Sequence, residues 1–222
     1  MYLRVIFRGT VLLFQFTVLF LLTLTESLAQ ETRIPKVEFD EASMEDLVGF
    51  LREGATGKAR NVVVDPRVNR EIRVTITLHD VTKSVAFAYA AELGGFAYRE
   101  ERHVIRIVPR SHKATDRTFL KRGAPMTMRR ASEIVMPKVD FDETELRQVV
   151  DDISSASRQL DPRKKGINVL LGRGVDPAAR VTLQLQGVPV GQVLKYVADS
   201  ARLNIRMDGN AVVLLKRHKI AR

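Results

Sequence analysis

An eight-residue phrase occurs twice in this chain and limits its fold more than any other feature. Ile34-Pro35-Lys36-Val37-Glu38-Phe39-Asp40-Glu41 returns as Met136-Pro137-Lys138-Val139-Asp140-Phe141-Asp142-Glu143, at an offset of 102 positions. A second match, Arg73-Val74-Thr75-Ile76-Thr77-Leu78 with Arg180-Val181-Thr182-Leu183-Gln184-Leu185, sits at an offset of 107. Two matches at two offsets mean a duplication with five residues inserted between them, and Gln159–Lys165 is the obvious place, read as a surface loop. Internal repetition of this length predicts two related domains rather than one.

Each copy follows the same pattern of polar and apolar residues. A short strand, Lys36–Phe39, leads to Asp40 and a helix over about Ala42–Glu53, whose Met44, Leu47, Val48 and Leu51 form one helical stripe. Leu146, Val149, Val150 and Ile153 repeat that spacing, with Asp142 read as the helix N-cap. Strand Asn61–Val64 has its counterpart in Asn168–Leu171. The alternating strands at Val74 and Val181 then lead to second helices that place Tyr89 and Tyr196 at matching positions, read as packing residues with the hydroxyl at the surface. A hairpin closes each copy, the second turning at Asp208-Gly209. The reading is an α+β fold: two small repeated β-α-β-β-α-β-β domains, each with two helices packed on small sheets.

The domains span residues 34–110 and 136–217. Between them, 111–133 reads as a basic linker, in which Lys121, Arg122, Arg129 and Arg130 are the candidate partner-binding residues. Residues 1–29 read as a signal peptide. Arg4 and Arg8 precede an apolar run from Val11 to Leu24, and Ser27-Leu28-Ala29 has the small-x-small form of a cleavage site. The expected location is therefore periplasmic or otherwise exported, and an uncleaved anchor is the other form this segment could take. The chain has no Cys, which excludes thiol chemistry and disulfides. Its formal net charge of +10 favours anionic partners such as lipid head groups, cell-wall polymers or acidic protein surfaces.

No catalytic, cofactor or metal site emerges from the residues. His79, His103, His112 and His218 lack the spacing of a helical metal pair, and Ser43, Ser84 and Ser132 have no neighbouring base. Asp40-Glu41 and Asp142-Glu143 are paired acids, read as helix-start residues. Gly54-Ala55-Thr56-Gly57-Lys58 has the form of the backbone-clamping loop of KH domains, but it joins a helix to a strand and has no second copy.

The order of features in the first copy is a strand ending Phe39-Asp40, a Leu/Val helix, Asn61-Val62-Val63-Val64-Asp65-Pro66, then Val74-Thr75 with Leu78 and Val81, a helix followed by Gly94-Gly95, and a hairpin. It resembles the short N-terminal domain of bacterial secretins and TonB-dependent receptors. The resemblance covers Ile34–Val108 and, more loosely, Met136–Lys216, where Asp176-Pro177 falls later than the family pattern places it. It implies a periplasmic, non-catalytic module without cofactor. The implied partners are envelope proteins: a secretin, an outer-membrane receptor or a periplasmic regulator. Nothing after the second copy can form a barrel, so the expectation is an interaction module, not a pore. Two other readings stand beside it: a basic KH-like nucleic-acid binder, and a binder of anionic membrane or cell-wall surface.

Overall fold

A computed structural model describes residues 32–53, 61–101, 104–110 and 124–217. The expected signal peptide, the Gly54–Lys58 loop, Lys121 and Arg122 lie outside them. The strands are β1 (Arg33–Ala42), β2 (Asn61–Val64), β3 (Val74–Thr82), β4 (Phe96–Glu100), β5 (Val104–Pro109), β6 (Val135–Glu145), β7 (Val169–Leu171), β8 (Arg180–Pro189), β9 (Leu203–Met207) and β10 (Val212–Lys216). The helices are α1 (Met44–Arg52), α2 (Lys83–Gly94), α3 (Ala124–Glu133), α4 (Leu146–Leu160) and α5 (Val190–Ser200). They build a mixed fold of four small sheets with a broadly repeated arrangement: β1-β3 and β2-β5-β4 from the first half, β6-β8 and β7-β10-β9 from the second.

Apolar stripes position the helices as their spacing predicts. Met44, Leu47, Val48 and Leu51 are buried on α1, and Leu146, Val149, Val150 and Ile153 on α4. The helix starts differ from the sequence reading. β1 runs on to Ala42, and Ser43 is the N-cap of α1, its hydroxyl accepting from Asp46 N–H while the Asp46 carboxylate accepts from Ser43 N–H at 2.8 Å. On α4 the flanking residue is Glu145, with no side-chain cap, so neither Asp40 nor Asp142 caps a helix.

The acids of the repeated phrase do something else. Pairing slips by one residue between Phe39 and Ala42, and again between Phe141 and Thr144. Glu41 and Glu143 sit at these bulges with φ of 48° and 43°, a conformation that L-residues adopt reluctantly. The backbone N–H of Glu41 donates to the Thr75 hydroxyl at 3.0 Å, and that hydroxyl donates to the Glu41 carboxylate at 2.9 Å. Glu143 and Thr182 repeat both bonds at 3.0 and 3.2 Å. Pairing resumes after each bulge and carries the strands on to Ala42 and Glu145, which is why the helix begins later than the pattern of acids implies.

The segment read as a linker holds a helix. Ala124–Glu133 forms α3, with Thr127 and Ala131 buried. Gly191 at the start of α5 lets it approach: a Cβ there would lie 3.3 Å from the Ala131 Cβ. The inserted residues are likewise not all loop, since α4 continues through Leu160 before Asp161 gathers the N–H groups of Arg163, Lys165 and Gly166.

Two apolar clusters fill the interior, and the first is not confined to its own half. Leu170, Ala211 and Val213 join Phe87, Tyr89 and Ile107 in it, while Val169, Val212 and Leu214 belong to the second. Alternate residues of β7 and β10 therefore face opposite cores, as a strand period of two requires. Residues from Arg33 onward cluster as one compact unit.

Candidate interaction site at the junction of the halves

Helix α2 is apolar on every side: Ala86, Phe87, Ala88, Tyr89, Ala90 and Ala91 are all buried. A helix of that kind needs cover on both faces. One side packs on its own sheet, where Phe87 meets the Tyr98 ring edge-on at 4.9 Å. The other meets the β7-β10-β9 sheet. Tyr89 is thus only 1% exposed, against 41% for Tyr196, so the surface hydroxyl expected for this pair is found only in the second half.

The Tyr89 hydroxyl donates to Asp208 at 3.5 Å, and burial, with the Asp208 charge beside it, pushes its pKa well up. Asp208 does not form the tip of the hairpin. Its N–H bonds the Ala211 carbonyl at 2.9 Å, leaving Gly209 and Asn210 to make the turn, and its carboxylate is buried. Arg206 bridges two acids. Its guanidinium reaches both oxygens of Glu92, at 2.8 and 3.0 Å, and both oxygens of Asp208, the shortest contact being 2.7 Å. Burial opposes the charge on Arg206, but the hydrogen bonds and charges of Glu92 and Asp208 outweigh it and raise its pKa. Such a bidentate pair at low exposure is strong only while every member is present.

A neutral contact completes the junction. The Asn168 side chain accepts from His79 N–H at 2.9 Å and donates to the His79 carbonyl at 3.0 Å. Its amide thus takes the place of a neighbouring strand at one point on the outer edge of β3. At the other end of α2, the Arg173 guanidinium lies against Gly95, whose φ of 74° and closeness to that group (a Cβ would meet it at 2.4 Å) together favour glycine.

Between β1-β3 and the second half lies a cavity of about 520 Å³, with Thr75 and Thr77 on one side, Leu171 to Val175 on another, and Glu38 and Asp151 on its walls. Two smaller cavities, of about 280 and 350 Å³, flank α3. Arg129 and Arg130 border the first of these, and Arg130 also borders the second. Arg129 pairs with Glu133 at 3.3 Å, and Arg130 donates to the Gly166 carbonyl at 3.3 Å, so both candidate cations make contacts within the chain. Among the described residues there is no group of His, Asp or Glu placed to hold a metal ion. No helix among them is long and apolar enough to cross a membrane.

Sequence reasoning missed Arg206, Glu92, Asp208 and Asn168. The usable signals were the unbroken apolar character of α2 and the run Val212-Val213-Leu214-Leu215, both of which call for two-sided burial.

No protein-family model matches the sequence, and no curated protein matches it. Among solved structures, a candidate anti-sigma factor from Parabacteroides distasonis aligns with a TM-score of 0.31 and 12% identity, over 65% of this chain. The aligned part is 47% of that protein, and a likeness at this level carries no argument about function.

Proposed function

We propose that this chain is an exported, non-catalytic protein-interaction module of the bacterial envelope, built from two secretin-N-like domains that each follow the order β-α-β-β-α-β-β. The observation that carries the reading is a match of backbone positions as well as of residues. Left-handed φ values recur at Glu41 and Glu143, at Asp80 and Gly187, and at Gly95 and Arg202. These pairs keep the sequence offsets of 102 and 107. A shared bulge, turn and helix terminus at fixed spacing favours one duplicated unit over a chance likeness of pattern.

A role in binding draws support from the sheets. Each is two or three strands wide and has edges that can accept a further strand. The partners in view are a secretin, an outer-membrane receptor or a periplasmic regulator. Fractionation with N-terminal sequencing of the mature protein tests the export half, with Gln30 the expected first residue. Crosslinking in the intact envelope, read by mass spectrometry, tests the binding half. Full-length protein in the cytosol with RNA affinity that falls steeply with salt would replace this reading with the KH-like one.

A further inference from the structure

We infer that the outer edge of β3 at Thr75–Thr77 is a docking edge, and that it takes an extended peptide segment carrying a Lys or Arg, added as a third strand to the β1-β3 sheet. The inference rests on the interaction-module reading above and specifies where and how the partner docks.

The direction of the backbone groups follows from the Asn168 contact. His79 turns its N–H and carbonyl away from β1 toward Asn168, so its pairing with Lys36 is of the non-hydrogen-bonded kind. Such pairs alternate along an antiparallel ladder. Thr77, two residues back and opposite Glu38, therefore also turns its N–H and carbonyl outward. Thr75, beside the bulge, continues that edge, and both threonines are partly exposed at the cavity of about 520 Å³. Asn168 closes the edge at one residue and leaves the next two open.

The same edge in the second half lacks this setting. Thr182 and Gln184 of β8 are exposed and line none of the three cavities. The β3 edge instead faces Leu171 to Val175 across the cavity, so side chains of an added strand have a wall to pack against. Charge selects the occupant. Glu38 and Asp151 border the cavity from β1 and α4; Glu38 already pairs with Lys36 at 2.5 Å, whereas Asp151 has no salt bridge among the described residues. Burial and the charges of Asp152 and Glu38 work against ionisation of Asp151, and Arg147 and Arg158 only partly compensate. A basic side chain beside Asp151 supplies the partner that this carboxylate lacks. Arg73, Arg147 and Arg173 line the same cavity, and none of them forms a salt bridge with Asp151 among the described residues.

The test uses the full chain and blocked synthetic peptides: Val-Thr-Lys-Thr-Val, the same peptide with Glu for Lys, and the Lys peptide N-methylated at alternate amides. In the free protein, Thr77 N–H exchanges with solvent at least about tenfold faster than Leu78 N–H, which faces β1. The Lys peptide slows Thr77 about tenfold or more, and the Glu and N-methylated peptides leave it unchanged. E38Q with D151N weakens binding of the Lys peptide several-fold. The proposal is overturned by a Thr77 amide already protected without peptide, by peptide binding that leaves Thr77 unprotected, by equal binding of the N-methylated form, or by no binding of the Lys peptide. Photo-crosslinkers at Thr77 and at Tyr196 separate the two levels in the envelope. Partners captured only at Tyr196 remove this docking edge but keep the module reading, whereas capture at neither site removes both.

Discussion

The sheets β2-β5-β4 and β7-β10-β9 have the same strand order and the same register, with Val62 beside Ile105 in one and Val169 beside Val212 in the other. Their inner faces are equally apolar, and their outer faces differ. Val63 and Arg106 look outward from the first sheet, and Val63 is 43% exposed. Leu170 and Val213 occupy the corresponding places in the second and are 3% and 2% exposed, because α2 of the first half covers them. Arg99 has its counterpart in Arg206, and Glu92 in Asp199, yet of these four it is Arg206 and Glu92 that pair across the junction. Asp199 turns to Arg217 at the surface instead. One framework thus serves either as an outer wall or as a partition, and a few outward side chains decide which.

Exchanging those side chains is the strongest way to break the comparison. V213R sets an unpaired guanidinium between two cores and should cost more than about 3 kcal/mol, enough to unfold much of the population. The reciprocal R106V removes an exposed pair with Glu101 and should move stability by less than about 1 kcal/mol. Urea unfolding followed by circular dichroism reads both, and equal effects would refute the assignment of partition and wall.

The junction network should come next. R206M leaves Asp208 buried without its partner, at an expected cost of about 3 kcal/mol, whereas R99M on the exposed sheet should be nearly neutral. N168A strands the N–H and carbonyl of His79 at a cost of about 1–3 kcal/mol. That variant should also speed exchange of the His79 amide, which a general loosening of the fold would not do selectively. The bulges provide a matched control: T75V and T182V each remove one hydroxyl that serves the same two bonds, and should cost about 1 kcal/mol apiece. A large inequality between them would mean that the bulges are not equivalent.

The smallest effect is that of pH. Burial, with Arg158 and Lys36 nearby, holds the pKa of His79 below its ordinary value. The unfolded chain then takes up a proton on this residue before the folded one does, so stability falls as pH drops through the unfolded value near 6.5. The wild-type urea midpoint should decline from about pH 7.5 to about pH 5.5 more than that of H79Q, since other groups titrate alike in both.

The framework was legible because burial writes periodicity into sequence. Helical stripes such as Leu47/Val48/Leu51 and alternating strands such as Val181-Thr182-Leu183 need only local spacing to be recognised. The junction was not legible in that way. Arg206 and Glu92 are 114 positions apart, and nothing in either local sequence names the other. The bulge escaped too, since an acid just before an apolar stripe reads as a cap unless the threonine that holds it is known. Helix α3 escaped because it buries only Thr127 and Ala131, too few residues to give a stripe. The open edge of β3 depends on where Asn168 ends the pairing, which only the packed halves determine.

A sheet shared by two cores also changes what a cut in the chain would do. Among the described residues the halves meet through Leu170, Val213, Tyr89 and the Arg206 bridge. A protein cleaved between Arg110 and Ala124 should therefore survive as a two-fragment complex. It should melt in a single transition whose midpoint rises with concentration, as expected of two subunits whose folding is their association.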